Sequence, residues 1–101
     1  MTRISKHDKG VLKLASIISE DYDYLERNVK IYSDKERTIA EADLIGFKDG
    51  YIDIYEVKCS YRPVKAKSQL RKLKRLLSAN RKVRHTYFYP MNVEQLILLS
   101  L

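Results

Sequence analysis

The chain has 101 residues, 45% of them apolar, with three glycines, two prolines and a net charge of +7. This length gives one domain, residues 1–101, with a single modest core, and the composition excludes a disordered chain. The lone cysteine, Cys59, excludes an internal disulfide, and no apolar run approaches the roughly 18 residues of a membrane span. The expectation is therefore a soluble, intracellular protein without a membrane partner, cytoplasmic or, for a viral source, in the host cytoplasm.

In chain order, Met1 to His7 reads as a polar arm. Asp8 is the expected cap of a first helix, in which Val11, Leu14, Ala15 and Ile18 follow i, i+3, i+4, i+7 spacing. The helix should fade near Asp21, leaving Glu20 in its last turn. Leu25 to Ser33 reads as a strand, and Ser33 to Arg37 as a polar loop.

The stretch from Ile39 to Ser60 carries the chemistry. Asp49-Gly50 between β-branched, apolar-rich runs is a strong hairpin signal. If these are the two turn residues, Lys48 pairs with Tyr51, Asp43 with Glu56 and Glu41 with Lys58, all four charged groups of the last two pairs on one face. On that face Ile39, Glu41, Asp43 and Ile45 line up on the first strand, and Ile52, Ile54, Glu56 and Lys58 on the second. Two carboxylates opposite each other repel, and a divalent cation held by both reverses the sign. Lys58 would place a positive charge beside that cation, where a water is oriented and a developing phosphorane charge is offset. A plain Glu41–Lys58 salt bridge would explain one pair but not the juxtaposed acids. Asp53 falls on the opposite face with Tyr51 and Tyr55 and is excluded from the site.

Ser60-Tyr61-Arg62-Pro63 turns the chain into a second helix with Ala66, Leu70, Leu73 and Leu77 as its buried stripe. Residues 62–101 hold ten Lys or Arg against one acid, Glu94, whereas residues 1–61 hold ten bases and twelve acids. Such a split suits a polyanion gripped by one region and cut by the other. Arg62, Lys65, Lys67, Arg71, Lys72, Lys74 and Arg75 are the expected phosphate-binding residues. Tyr61 and His85 suit either nucleotide stacking or packing. Asn80 is the expected helix end, Val83 to Tyr89 reads as a strand, and Asn92-Val93-Glu94-Gln95 resembles a capping box opening a C-terminal helix over Leu96 to Leu101. That apolar segment is expected either to lie on the sheet or to form a dimer contact.

Asp43, the hairpin, and Glu56-Val57-Lys58-Cys59-Ser60 resemble the core of the PD-(D/E)xK nuclease superfamily, in the form found in small archaeal Holliday junction resolvase-like nucleases. The resemblance spans roughly residues 8–90. It implies a small restriction-endonuclease-like α/β sandwich with a central mixed sheet, in the order αβββαβ plus a C-terminal helix. It implies a Mg²⁺- or Mn²⁺-dependent endodeoxyribonuclease with catalytic Asp43, Glu56 and Lys58, Asp43 and Glu56 as metal ligands aided by the Val57 carbonyl, and 5′-phosphate products. Gln69 is the best match for a helix residue that approaches the active site in relatives, although a surface glutamine fits equally. Resolvases also carry a glutamate early in the first helix, and Gly10-Val11-Leu12-Lys13-Leu14 has none; Glu20, Glu41 and Asp8 are the candidate third acids. The expected partner is DNA, possibly branched, cut by a homodimer. The alternative is an inactive nucleic-acid-binding module on a nuclease scaffold.

Overall fold

The computed structural model describes residues 3–101 and runs α1 (Lys6–Ile18), a 3₁₀ turn (Ser19–Asp21), β1 (Tyr24–Tyr32), β2 (Thr38–Lys48), β3 (Tyr51–Lys58), α2 (Pro63–Leu77), β4 (Lys82–Pro90) and β5 (Ile97–Leu99). Met1 and Thr2, the first two residues of the expected polar arm, lie outside the described residues. The rest of that arm is shorter than expected. Ser5, not Asp8, caps α1, its Oγ accepting the Asp8 N–H at 3.0 Å, so Lys6 and His7 already belong to the helix. A serine hydroxyl satisfies an N-terminal N–H that has no partner within the helix, and Asp8 is then left in the first turn, where a carboxylate suits the helix dipole.

The five strands form one sheet in the order β1-β2-β3-β4-β5. β3 and β4 are parallel, joined across α2, and the other neighbours are antiparallel, which makes the sheet mixed. At the hairpin, Asp49 (φ 50°) and Gly50 (φ 83°) both take the positive φ that a two-residue type I′ turn demands. The pairing from Lys48↔Tyr51 through Leu44↔Tyr55 follows the register read from the sequence.

One helix covers each face of this sheet. Val11, Leu14 and Ile18 of α1 pack with Leu44, Tyr55, Val57 and Tyr89. Ala66, Leu70 and Leu73 of α2 pack with Ala42, Ile45, Ile52, Ile54 and Phe88, with Leu77 at the margin, as the predicted stripe requires. None of the described helices is long and apolar enough to cross a membrane.

The expected C-terminal helix is not formed. Residues after Pro90 make a turn, with the Val93 and Glu94 N–H groups donating to the Pro90 carbonyl and Glu94 at φ 56°, and the apolar run then pairs with β4 as β5. Ile97, Leu99 and Leu101 point into the α2-side core while Leu98 is exposed, an alternation of period two. The reason is the open edge of β4. A short segment docking there satisfies backbone groups that an isolated helical turn would leave exposed, and Thr86 Oγ1 adds a 2.7 Å bond to the Leu99 carbonyl.

A second departure positions the site. In β1, Leu25 packs on the α1 side, whereas Val29 and Ile31, of the same parity, pack on the α2 side. β2 does the same, with Ala40 and Ala42 on the α2 side and Leu44 on the α1 side. The switch falls at Asn28, which has φ 53°, and at Asp43, the two residues that the ladder skips between Arg27↔Leu44 and Val29↔Ala42. Asparagine tolerates the left-handed region better than most residues. The simple alternation expected from Ile39 through Asp43 to Ile45 is therefore broken at Asp43, which stands where the inner and outer faces of β2 exchange.

Candidate functional site

The ladder between β2 and β3 stops at Leu44 and Tyr55, one step short of the acids. Asp43 and Glu56 are thus not a regular cross-strand pair, and neither are Glu41 and Lys58. Beyond that point Asp43 acts as a wedge between the strands: its Oδ2 accepts the Val57 N–H at 2.8 Å, in place of a carbonyl of the opposite strand. The carboxylate is thereby held rigidly next to β3.

Glu56 lies on the α2 side of β3, 4% exposed. Its Oε1 is 3.4 Å from the Lys58 ammonium, so Lys58 pairs with Glu56 rather than with Glu41. The other oxygen, Oε2, is buried without a hydrogen-bond partner. Burial pushes the Glu56 carboxyl up to about 8, the nearby Asp43 charge adds to this, and Lys58 only partly offsets them. An acceptor left bare inside a protein costs roughly 1–3 kcal/mol, so the ionised form of Glu56 is held at an energetic disadvantage that either a proton or a cation would relieve.

The side chain that sequence reasoning missed is His7. From the first turn of α1 its Nε2 lies 3.0 Å from the Val57 carbonyl oxygen and 3.3 Å from Asp43 Oδ2, while Nδ1 is 3.8 Å from Asp8 Oδ1. The available signal was helical spacing: His7 stands at i, i+4, i+7 and i+11 with Val11, Leu14 and Ile18, on the stripe that faces the sheet. A cap at Asp8 puts His7 in the arm and hides that relation, whereas the Ser5 cap brings His7 into the first turn.

The other candidates separate cleanly. Glu20 is exposed in the 3₁₀ turn, beyond a thirteen-residue helix about 20 Å long whose other end carries His7, so it does not reach the site. Glu41 is exposed and faces Lys30 across β1. Asp8 contacts the far side of His7. Gln69 does face inward: its Oε1 is buried without a partner, and the residue lines a groove of about 200 Å³ with Ile39, Ala40, Glu41, Lys72 and Leu73. Arg62, Lys65, Lys67, Arg71, Lys72 and Arg75 are exposed, and no described acid forms a salt bridge with any of them. Lys74 is half-buried and donates to the Leu101 carbonyl at 3.1 Å. Tyr61 is exposed with its ring tilted over Phe88, and Cys59 is free and exposed.

Asp53 belongs to a separate cluster on the α1 side. It is fully buried, and it accepts from the Tyr22 hydroxyl at 2.5 Å, from Arg84 Nε and Nη2 at 3.1 and 2.6 Å, and from the His85 N–H at 3.0 Å. The Tyr22 and Tyr55 hydroxyls are also hydrogen-bonded. Burial alone would raise the Asp53 carboxyl, but the Arg84 fork, Tyr22 and the His85 amide together hold it below the usual carboxylate range. Burial, with the Asp53 contact, pushes the Tyr22 hydroxyl far above its ordinary value. The register between β3 and β4 slips between Ile52↔Val83 and Asp53↔His85, leaving Arg84 as the extra residue. This bulge lets consecutive residues aim a guanidinium and an amide at the same carboxylate.

Among the described residues, no three His, Cys, Asp or Glu groups are gathered tightly enough to form a ready-made metal cage. The donors near Asp43 do fit a hard cation in kind, since carboxylate and carbonyl oxygens are the ligands that Mg²⁺ and Mn²⁺ prefer, and the unpartnered Glu56 oxygen supplies a free one. The sequence matches no protein-family model and no curated protein.

Proposed function

We propose that this domain is a divalent-cation-dependent DNA endonuclease with a small restriction-endonuclease-like fold, of which a Holliday junction resolvase-like, structure-specific nuclease is the best-matched kind. The observation that carries the reading is the buried Glu56 carboxylate with one bare oxygen, beside an Asp43 locked to the next backbone amide. Carboxylates at this expense of solvation are retained at functional sites more often than in frameworks. Asp43, Glu56 and the Val57 carbonyl would hold Mg²⁺ or Mn²⁺, and the bound ion would neutralise charge on the scissile phosphate and make its water more acidic. Lys58, 3.4 Å from Glu56, keeps an ammonium at the reacting phosphate, where it orients the attacking water and offsets developing negative charge. The exposed, unpaired bases of α2 grip the phosphate backbone without reading bases. Two copies of the chain would be needed to cut a junction symmetrically.

The test is cleavage of plasmid, flap and four-way-junction DNA with Mg²⁺ or Mn²⁺, comparing wild type with Glu56→Gln. Cutting that drops by about 100-fold or more in the variant, on the order of losing one electrostatic stabiliser, while DNA binding persists, supports the enzyme. Binding by wild type with no cutting of any of the three substrates supports the second reading, an inactive nucleic-acid-binding module, which the unpaired bases of α2 favour equally. Both readings require counterion release: with about six phosphates neutralised, affinity should fall about 10³-fold between about 50 and about 200 mM salt. A flat salt response would remove α2 from either.

A further inference from the structure

We infer that the groove at the start of α2 takes an unpaired nucleotide, its base laid on the Tyr61 ring and its phosphates on Arg62 and Lys65, so that the domain acts on DNA where a strand leaves the duplex. The inference rests on the DNA reading above and deepens it by naming the form of the substrate. Tyr61, Arg62, Pro63, Val64, Lys65 and Ser68 line an open groove of about 540 Å³, within the roughly 300–1,000 Å³ of pockets that hold small molecules. Two of its walls are apolar and stand in solvent: Tyr61 is 55% exposed and Val64 83%, the highest of any large apolar side chain among the described residues. One exposed valine is ordinary on a protein surface. Here it stands beside an exposed ring and two cations, and residues 57–93 contain no Asp or Glu to neutralise them. Such a groove suits a ligand that is flat and apolar in one part and anionic in the next, and a nucleotide is both.

The ring is anchored, and beside the acids. It leans on the fully buried Phe88, with 5.9 Å between centroids and 32° between planes, while more than half of Tyr61 stays in solvent. Phe88 is the partner of Glu56 in the β3–β4 ladder, and Lys58 precedes the ring by three residues. A base stacked here therefore lies next to the carboxylate and the ammonium of the candidate site. Val64, Ser68, Arg71 and Arg75 follow at i, i+4, i+7 and i+11, all exposed, on the side of α2 turned away from Ala66, Leu70 and Leu73. A strand that leaves its base on Tyr61 meets Arg71 and Arg75 within about 16 Å of helix. Bases in a continuous duplex are stacked on one another and have no free face for the ring, whereas an unpaired base has one whatever its identity. Stacking thus selects for the form of the strand and not for its sequence, in keeping with an α2 that contacts phosphates alone.

The experiment uses the full chain in EDTA and again in CaCl₂, so that binding is read apart from cutting. The probes are a labelled oligothymidylate, an abasic strand of equal length, and a blunt duplex of equal length. Wild type is compared with Tyr61→Leu, which keeps an apolar side chain on Phe88, and with Tyr61→Trp, which gives a chain without tryptophan a single reporter at the groove. Wild type should bind oligothymidylate about 10-fold or more tightly than the abasic strand. Tyr61→Leu should lose that margin, and lose less than this on the duplex, which offers the ring no free base. Tyr61→Trp should keep the margin, and oligothymidylate but not duplex should quench its emission. Three results overturn the inference: a margin that persists in Tyr61→Leu, an equal loss on all three probes by a Tyr61→Leu whose circular dichroism matches wild type, or a tryptophan that oligothymidylate does not quench. If wild type still binds the duplex in those cases, the DNA reading stands. No DNA of any form bound by wild type in either buffer overturns both.

Discussion

Asp53 and Glu56 stand three residues apart on β3, on opposite faces, and both are buried. Asp53 is provided with every partner it can use: a guanidinium fork, a phenol and a backbone amide. Glu56 has one distant ammonium, a like charge nearby and a bare oxygen. The same residue chemistry on the same strand is stabilising in one place and costly in the other. The difference separates a carboxylate that holds the fold together from one that the fold leaves short of partners, and neither burial nor charge alone would have told them apart.

The comparison can be broken most sharply at Arg84. Arg84→Met leaves Asp53 buried with only neutral donors, and urea denaturation should show a loss of about 3 kcal/mol; a loss below about 1 kcal/mol would mean that the network is ornamental. Gly46→Ala attacks the same cluster through packing. A Cβ at Gly46 would come within 2.5 Å of the Tyr22 ring, which its bonds to Asp53 and Tyr55 keep from moving aside. The cost should be about 2 kcal/mol, read as a lower urea midpoint at unchanged slope.

Glu56→Gln should act in the opposite direction. Because burial raises the Glu56 carboxyl from 4.5 to about 8, the folded state keeps its proton where the unfolded chain has released it. Its contribution is therefore favourable below pH 4.5, is lost as pH rises to about 8, and stays lost above. In metal-free buffer Glu56→Gln should be more stable than wild type by about 1 kcal/mol near pH 8, with the gap closing toward pH 4.5. A variant less stable than wild type at every pH would make Glu56 a structural residue like Asp53.

Much of this was legible in the chain. Asp49-Gly50 set the hairpin and its register because a type I′ turn requires two residues that accept positive φ. The α2 stripe followed from its period, and the separation of Asp53 from Glu56 on β3 from alternation. What failed did so for definable reasons. The Leu96 to Leu101 run has no period that tells strand from helix, and the open edge of β4 resolved it. Ser5 and Asp8 are both good caps, and choosing the later one hid His7. Asn28 gave a hint only of tolerance for positive φ, not that the faces of two strands would exchange there.

By itself, then, the sequence determined which segments turn, which stripes are buried, where positive charge collects and which acids share a strand with a lysine, since these depend on neighbours within about a helical turn or a two-residue bend. Only the tertiary structure decided that Asp43 wedges the strands apart, that His7 reaches across to the Val57 carbonyl, and that Arg84 bulges onto Asp53. Each of these joins segments that are distant in the chain. Such contacts depend on how whole elements pack, and no local pattern of residues encodes the distances between them.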